Sequence, residues 1–430
     1  MTNAAKGWAR RVAIAVALAA QLLAWGGLAH GAEQVTITVG YYEAGSVQGR
    51  VSEVINEIIA RFQELHPHIR VETQSAAYGQ FFQKLPVELA SGAGPDVWLS
   101  DGVLVEQYAR LGFGLDLTER IARDLDRDDY FGIDLNTDAE GRIWAFPQGL
   151  QSSVFFYNKS MFNEAGLGYP DESWTLDVVR ENARKLTRDR NGDGSVDQYG
   201  FRSFNQVTEG WYPVVRAFGG RFVDESSRRS LVNRPEVADG LRYLVEIVLN
   251  DQTSPTSGNM FNHFPESRVA MQYGLFVRTA PANLAGIDYD VTAVPQGPAG
   301  RYAPAIVNSW MINAHSSKEK QDAAWEWVKF FSSEMPQTLW TAELGEAIPI
   351  NRAAAPAFLD FGAGPANRAA FIDGLEYAVA IDPSPVWSGW VDAVTRNFAR
   401  AFNGQVSVEE AVAQAHQAVQ QVLDDYWANR

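Results

Sequence analysis

The sequence predicts an α/β fold built on a mainly parallel sheet, because strand and helix patterns alternate from residue 35 onward. VTITV alternates apolar and polar residues as a half-buried strand does. VSEVINEIIARFQEL then carries apolar residues at helical spacing, and further strand patterns lie in HPHIRVETQ and GPDVWLSDG, with a helical pattern between them. This βαβαβ order implies helices on both faces of the sheet and a ligand site beyond the carboxyl ends of the strands.

Residues at the ends of the first and third strands are candidate binding residues. Tyr42 and Glu43 come after the first strand, and Asp101 ends the third. The alternatives are a solvated turn for Tyr42 and Glu43, and a helix N-cap for Asp101, which directly precedes GVLVEQYARL. Asp101 could combine the cap with a ligand contact.

Later segments continue the alternation of helices and strands. Thr175 is predicted to cap the helix in SWTLDVVRENARKL. Ser316 with Glu319, and Ser407 with Glu410, lie three residues apart before apolar helical patterns, as in capping boxes. We find no internal repeat and no heptad array in the sequence.

The first 32 residues are predicted to be a secretory signal peptide. Lys6, Arg10 and Arg11 precede the apolar run VAIAVALAAQLLAWGGLA, and small residues follow it. A membrane anchor is the alternative, since this run approaches the roughly 20 apolar residues that span a bilayer. The chain contains no cysteine, so it can have neither disulfides nor a lipid attached through Cys, and we expect a soluble periplasmic protein.

Composition and charge narrow the class of protein. The chain has 430 residues, of which 46% are hydrophobic, enough for a large core and two or three domains. Its formal net charge of −16 repels phosphate backbones. We therefore expect no nucleic acid partner, and we expect a monomer.

Motifs of several enzyme classes are absent from the sequence. It has no His-Glu-x-x-His helix, no Gly-x-Ser-x-Gly elbow and no phosphate loop ending in Gly-Lys-Ser/Thr. A glycosidase needs only two carboxylates, so a secreted, calcium-stabilised enzyme acting on polysaccharides stays open as an alternative.

The stretch DRNGDGSVDQYG resembles the loop of a calcium-binding hand. Oxygen donors fall at loop positions 1, 3, 5, 7 and 9, which are Asp189, Asn191, Asp193, the carbonyl of Ser195, and Asp197. Position 12 is Gly200 instead of the usual bidentate glutamate, which argues against a calcium sensor. The alternatives are a structural Ca²⁺ site completed by other oxygens and a solvated turn without metal.

Six stretches of the chain carry a family resemblance. In order they are VELASGAGPDVWLSDG, GRIWAFPQGLQSSVFFYNKSMFNEAGLGYPDESWTLDVV, QYGFRSFNQ, SRVAMQYGLF, AAWEWVKFFSSEMPQTLWTAELGEAIPINR and SPVWSGWVDAVTRNFARAFNG. This ordered set resembles the extracellular solute-binding proteins of bacterial ABC importers. Within them it is similar to the carbohydrate-binding group, family 1, which includes the maltose-binding protein.

The resemblance implies a two-lobe periplasmic binding protein fold of type II, with a mainly parallel sheet in each lobe. The implied lobes are residues 33–150 with 306–350, and residues 151–305 with 351–430. Residues 147–152 and 303–309 would cross between them as hinge segments.

The implied function is the substrate-binding component of an ABC sugar importer. Such a protein captures a mono- or oligosaccharide in the periplasm and delivers it to the permease subunits, with no catalysis and no required cofactor. A polyol or a glycerophosphate stays open as an alternative solute.

A sugar offers hydroxyls at its edge and C–H groups on its faces, so a receptor needs carboxylates, amides and flat aromatic rings. Position relative to the resembling stretches, inside or outside them, selects ten residues: Tyr42, Glu43, Tyr78, Asp101, Gln151, Trp211, Tyr273, Asn308, Trp310 and Arg352. Besides the alternatives already given for Tyr42, Glu43 and Asp101, another role is open for four more. Gln151 could bond to backbone at the hinge, Trp211 could begin a buried helix, Tyr273 could pack inside, and Arg352 could have no specific role.

Overall fold

The structure, a computed structural model, describes residues 34–43, 49–138, 140–224, 226–362 and 364–428. Two sheets flanked by helices confirm the predicted α/β class. The predicted signal peptide lies outside the described residues. No helix in the described ranges combines the length and the apolar composition that crossing a bilayer requires.

The strands are β1 Val35–Glu43, β2 Ile69–Ala77, β3 Val97–Asp101, β4 Phe146–Ser152, β5 Val154–Asn158, β6 Tyr199–Phe201, β7 Val269–Gly274, β8 Tyr289–Thr292, β9 Ala303–Ile312 and β10 Ala378–Ala380. The α-helices are α1 Arg50–Leu65, α2 Tyr78–Ser91, α3 Gly102–Arg110, α4 Thr118–Asp124, α5 Lys159–Ala165, α6 Leu176–Leu186, α7 Tyr212–Ala217, α8 Pro235–Leu249, α9 Thr279–Leu284, α10 Lys318–Phe331, α11 Glu334–Thr338, α12 Ala355–Asp360, α13 Ala369–Asp373, α14 Trp387–Phe402 and α15 Val408–Ala428.

The first sheet has the strand order β10-β9-β3-β1-β2, and β4 pairs with the other side of β9. β1 is parallel to both β2 and β3, as the βαβαβ pattern predicts. β9 is antiparallel to β3 and β4, because it enters this sheet from the opposite end. The carboxyl ends of β1, β2 and β3 therefore lie at one edge, beside the start of β9.

The second sheet has the strand order β6-β7-β5-β8, and it differs from the expected mainly parallel arrangement. Only β6 and β7 are parallel among its described pairs, whereas β5 is antiparallel to β7 and to β8. The reason is the direction in which each strand runs relative to the first sheet. β5 leaves the first sheet and runs outward, while β7 and β8 run back toward it.

One residue joins the two sheets at their shortest connection. β4 ends at Ser152 and β5 begins at Val154, so Ser153 alone lies between them. Ser152 pairs with Ala305 at the start of β9, and Ala305 also pairs with Ala380 of β10. Three chain segments thus run side by side at this junction, which we call the crossing.

The helices cover the sheets with the faces that their patterns predict. In α1 the buried residues are Val51, Ile55, Ile58, Ile59 and Phe62. The predicted caps Thr175 and Ser407 are confirmed, because their hydroxyls accept hydrogen bonds from Val178 N–H and Glu410 N–H. The third cap was wrong by one position, since Ser317 rather than Ser316 caps α10.

Ser316 does not cap the helix because its hydroxyl bonds to Asp96 instead. Its hydroxyl donates to Asp96 Oδ1 at 2.6 Å, which joins the start of α10 to the loop before β3. A short sequence motif cannot reveal such a long-range bond.

Candidate functional site

The carboxyl ends of β1, β2 and β3 bring together several of the predicted residues. Glu43 at the end of β1 pairs with Ala77 at the end of β2, directly before Tyr78. Asp101 at the end of β3 pairs with Asn308 of β9. We call the cluster of Tyr42, Glu43, Tyr78 and Asp101 the first edge.

Aromatic rings and a carboxylate are in direct contact at the first edge. The rings of Tyr42 and Tyr78 lie edge to face with centroids 5.1 Å apart, and Phe82 packs on Tyr78 at 4.9 Å. The Tyr78 hydroxyl donates to Asp101 Oδ2 at 2.8 Å. Tyr42 is buried, whereas the Tyr78 side of the cluster is open, with Tyr78 47% exposed. An exposed ring beside a carboxylate can contact both the face and the hydroxyls of a bound molecule.

Asp101 has the N-cap role that the sequence left open for it, and its second carboxylate oxygen bonds to Tyr78. Its Oδ1 accepts the Val103 N–H at 3.3 Å, so it caps α3, while Oδ2 faces Tyr78. Burial raises the pKa of the Asp101 carboxyl above its ordinary value, and the bonds from Tyr78 and Val103 lower it in part. Desolvated carboxylates with raised pKa values are typical of functional sites.

Glu43 and Gln151 border the same region and retain unused hydrogen-bonding atoms. Ser52 donates to one oxygen of Glu43, and the other oxygen is buried without a partner among the described residues. Gln151 donates through Nε2 to the carbonyl of Glu346, and its Oε1 likewise has no partner there. The bond from Gln151 to backbone is the alternative role that the sequence left open.

Three predicted site residues lie in the hydrophobic core instead. Trp211 is fully buried against Phe222 and Phe398, with ring centroids 4.7 and 5.8 Å away. Tyr273 packs against Phe155 at 5.6 Å, and Trp310 packs against the helix α10. The prediction that these rings face a solute was wrong in this structure, because all three are buried among other side chains.

Arg352 and Asn308 are placed differently from the core residues. Arg352 is exposed and its guanidinium stacks on Phe131 at 3.9 Å, in a groove beside the crossing. No contact among the described residues joins Arg352 to Tyr78 or Asp101. Asn308 is half-buried opposite Asp101.

The DRNGDGSVDQYG loop is exposed and folds around its own backbone amides. Asp189 accepts the N–H groups of Gly192 and Gly194, both at 2.7 Å, and Asp193 accepts that of Ser195 at 2.8 Å. Gly192 and Gly194 adopt positive φ values of 74° and 92°, which glycine allows without strain. Across the described residues, no three His, Cys, Asp or Glu side chains are grouped as metal ligands.

The sequence reasoning missed a charged network at the end of the second sheet. Glu209 is fully buried in the turn Val207–Trp211 and accepts the Leu275 N–H at 3.0 Å. Arg278 donates to it at 2.9 Å, and Arg202 contacts its other oxygen at 3.4 Å. We call Arg202, Glu209 and Arg278 the second edge. A sequence signal was present, since each is a single charge within an apolar stretch, but such residues usually lie on the surface.

Electrostatics at the second edge follow from its burial. Desolvation lowers the pKa of Arg202 to about 10, and the neighbouring Glu209 opposes this shift. Arg202 therefore stays protonated at neutral pH. Two guanidinium groups share one carboxylate, so the second edge carries one net positive charge.

Two sheets joined by a one-residue crossing, with polar and aromatic side chains at the adjoining edges, define a two-lobe binding protein. Residues 47–338 match the model of the bacterial extracellular solute-binding protein family. The match covers more than half of the chain, and the protein belongs to this family.

Relatives and solved structures agree with this assignment. A mannitol-binding protein from Pseudomonas aeruginosa is 25% identical, with 94% of this chain and 96% of the relative covered. An ABC substrate-binding protein from Listeria monocytogenes, solved with cycloalternan, superposes with a TM-score of 0.78 at 23% identity, covering 91% of this chain and 99% of that one. A sugar-binding protein from Xanthomonas citri gives 0.78 at 20% identity, with 92% and 99% covered. These structures confirm the two-lobe periplasmic binding protein fold.

Proposed function

We propose that this protein is the substrate-binding component of a bacterial ABC sugar importer. It captures a mono- or oligosaccharide between its lobes in the periplasm and delivers it to membrane permease subunits. It acts as a monomer and leaves its solute chemically unchanged. Family membership and the sugar- and mannitol-binding relatives support this proposal.

The observation that carries the proposal is the contact of Tyr78 with Asp101 at the first edge. A half-exposed ring and a carboxylate 2.8 Å from its hydroxyl offer a flat apolar face and a strong acceptor side by side. A sugar or polyol needs both, because its hydroxyl hydrogens require acceptors and its C–H faces stack on rings.

The lobes of this proposal are those implied by the resemblance, 33–150 with 306–350 and 151–305 with 351–430. The crossing is the hinge, and the solute stabilises the closed form through contacts that only closure allows. Small-angle scattering with and without solute tests this part. A radius of gyration that is unchanged at saturation contradicts lobe closure.

A thermal-shift panel of mono-, di- and oligosaccharides together with mannitol and glycerol phosphate tests the proposed function. A solute at 100 times its Kd adds about 2.7 kcal/mol of stability, which a melting curve detects readily. Shifts with sugars support the importer role, and a shift with mannitol alone supports the polyol alternative. A panel with no shift at all contradicts the proposal.

The enzyme alternative has a separate test. We expect the purified protein to release no reducing sugar from the polysaccharides and oligosaccharides of the panel. Saturable binding followed by recovery of the unchanged sugar supports a carrier. Release of reducing sugar at a rate proportional to protein concentration supports the glycosidase instead.

We also retain the proposal that the loop at Asp189, Asn191, Asp193, Ser195 and Asp197 takes a structural Ca²⁺. The support is the spacing of its oxygens, which could reorient from the backbone amides toward a cation. Melting curves with Ca²⁺ and with a chelator, both without sugar, test it. Identical curves contradict a calcium site and leave the solvated turn.

A further inference from the structure

At the second edge, two aromatic rings in contact lie between two guanidinium groups. Arg202 lies over Phe204 at 4.4 Å, Phe204 contacts Phe261 edge to face at 5.7 Å, and Arg278 lies over Phe261 at 4.0 Å. Glu209 joins the two guanidinium groups through hydrogen bonds from both arginines. Each arginine contacts both an aromatic ring and Glu209, and these two contacts fix the orientation of the Arg278 guanidinium.

Of the three charged residues of the second edge, only Arg278 reaches solvent, next to the exposed ring of Phe261. The side chains of Arg202 and Glu209 are fully buried, whereas that of Arg278 is 23% exposed. Arg278 uses its Nε to bind Glu209. In the ranges that the structure describes, no protein atom accepts a hydrogen bond from its two terminal nitrogens. A guanidinium held at Nε presents those nitrogens as a rigid fork of donors.

The fork lies at the crossing, on the side of the second sheet that adjoins the first. β7 ends at Gly274, which pairs with Val154, the first residue of β5. The next residue, Leu275, donates to Glu209. Ser153 itself donates to the carbonyl of Thr208 at 3.2 Å, in the turn that carries Glu209.

The first edge adjoins the same crossing. Asp101 pairs with Asn308, three residues along β9 from Ala305, which pairs with Ser152. The first edge presents carboxylate acceptors, and the second presents guanidinium donors. A hydroxyl group is complementary to both, because it donates its hydrogen and accepts through its oxygen.

Resting on the proposed function, we propose that Arg278 is the solute-binding residue of the second lobe, and that Glu209 is the residue that positions it. Its fork donates to hydroxyl oxygens of a neutral polyhydroxylated solute, whose hydroxyl hydrogens go to Asp101. Arg278 thereby takes the place that the sequence assigned to Trp211 and Tyr273.

Charge selects a neutral solute over an anionic one. The two carboxylates of Glu43 and Asp101 at the first edge outnumber the single net positive charge of the second edge. Sugar acids and glycerophosphate would meet repulsion from the first edge. A neutral sugar or polyol meets donors on one side and acceptors on the other.

Titration calorimetry on the full mature chain tests this inference, with D-mannitol, maltotriose, D-glucose and D-glucuronate as probes. For the neutral probe that binds most tightly, Arg278→Gln should weaken affinity about ten- to a hundredfold, the range for a lost hydrogen bond to a charged group. Arg278→Lys keeps the charge and loses the fork, so it should recover only part of that loss.

The matched control is Arg228→Gln. Arg228 also stacks on an aromatic ring, Trp427 at 3.9 Å, but at the end of α15. We expect this variant to bind like the wild type. The unfolding midpoint without sugar should fall for Arg278→Gln, because buried Glu209 loses one of its two guanidinium partners, so the titrations are made well below that midpoint and report binding by the folded protein.

Three outcomes of these experiments test the role of Arg278, the neutral solute class and the proposed function separately. Wild-type affinity in Arg278→Gln overturns the role of Arg278 and leaves the proposed function intact. Tighter binding of D-glucuronate than of D-glucose by the wild type overturns the neutral solute class. Absence of binding to every probe and to every member of the thermal-shift panel overturns the proposed function and this inference with it.

Discussion

The two edges at the crossing are built from opposite chemistry. The first edge is acidic and aromatic, with Tyr78 half-exposed and Asp101 desolvated beside it. The second edge is basic, and its charges are paired in a buried network that leaves only Arg278 reaching solvent. The difference indicates a division of labour, in which one lobe offers acceptors and a stacking surface while the other offers oriented donors.

The largest expected effect comes from breaking the network of the second edge. Glu209→Ala leaves the guanidinium of Arg202 fully buried without its carboxylate, which should cost about 3–5 kcal/mol of unfolding free energy. Chemical denaturation measures it. Glu164→Ala is the control, because Glu164 pairs with Arg190 on the surface at 3.4 Å and should change stability by less than about 0.5 kcal/mol. Similar small losses in both variants would show that the network stabilises nothing.

A substitution at the first edge should change solute affinity and leave the free energy of unfolding nearly unchanged. Asp101→Asn keeps an oxygen for the Val103 N–H and removes the charge, so solute affinity should fall about ten- to a hundredfold while unfolding free energy is unchanged or higher. Calorimetric titration and denaturation measure the two quantities. The control is Asp116→Asn, because Asp116 accepts the Thr118 N–H at the start of α4 and its substitution should leave affinity unchanged. A less stable Asp101→Asn protein with normal affinity would make Asp101 a structural cap only.

The pH dependence of solute affinity should reflect the protonation of the Asp101 carboxyl. Burial raises the pKa of Asp101 in the folded protein, so folding favours the protonated carboxyl. The resulting contribution to the free energy of unfolding is fully present below the ordinary pKa of Asp and is lost as pH rises through the pKa of the folded state. A protonated carboxyl is a poorer acceptor, so affinity should fall on acidification while pH is still above about 4, the ordinary Asp value. Titrations across acidic pH measure this. The same fall in Asp101→Asn would assign it to another group.

The smallest effect is expected from the hydroxyl of Tyr78. Tyr78→Phe keeps the ring against Phe82 and removes one hydrogen bond, which should cost about 0.5–1.5 kcal/mol of binding free energy. The bond from Tyr78 lowers the pKa of Asp101, so its removal should also move the acidic fall in affinity to higher pH. Tyr169→Phe removes an equivalent surface bond to Asn163 and serves as control. Equal affinity in both variants would limit Tyr78 to stacking.

The contrast between the edges also explains what the sequence could predict. Tyr42, Glu43 and Asp101 were selected because the carboxyl ends of parallel strands meet at one edge, and alternation of strands and helices is visible in the sequence, whereas Tyr78 was selected by the family resemblance alone. Arg202 and Arg278 follow β6 and β7, a parallel pair whose two strands lie far apart in the sequence, so the sequence does not reveal that these residues meet Glu209. Trp211 was misassigned because aromatic rings serve both cores and binding sites, and residue type alone does not separate the two.

The single residue between β4 and β5 has a mechanical consequence. With Ser153 as the only residue between paired strands, the sheets have no slack with which to slide past one another. Relative motion must be a rotation about a few backbone torsions near this pivot, and the travel of any atom grows in proportion to its distance from it. During such a rotation, the parts of the two sheets that are farthest from Ser153 move most, and the parts next to it move least.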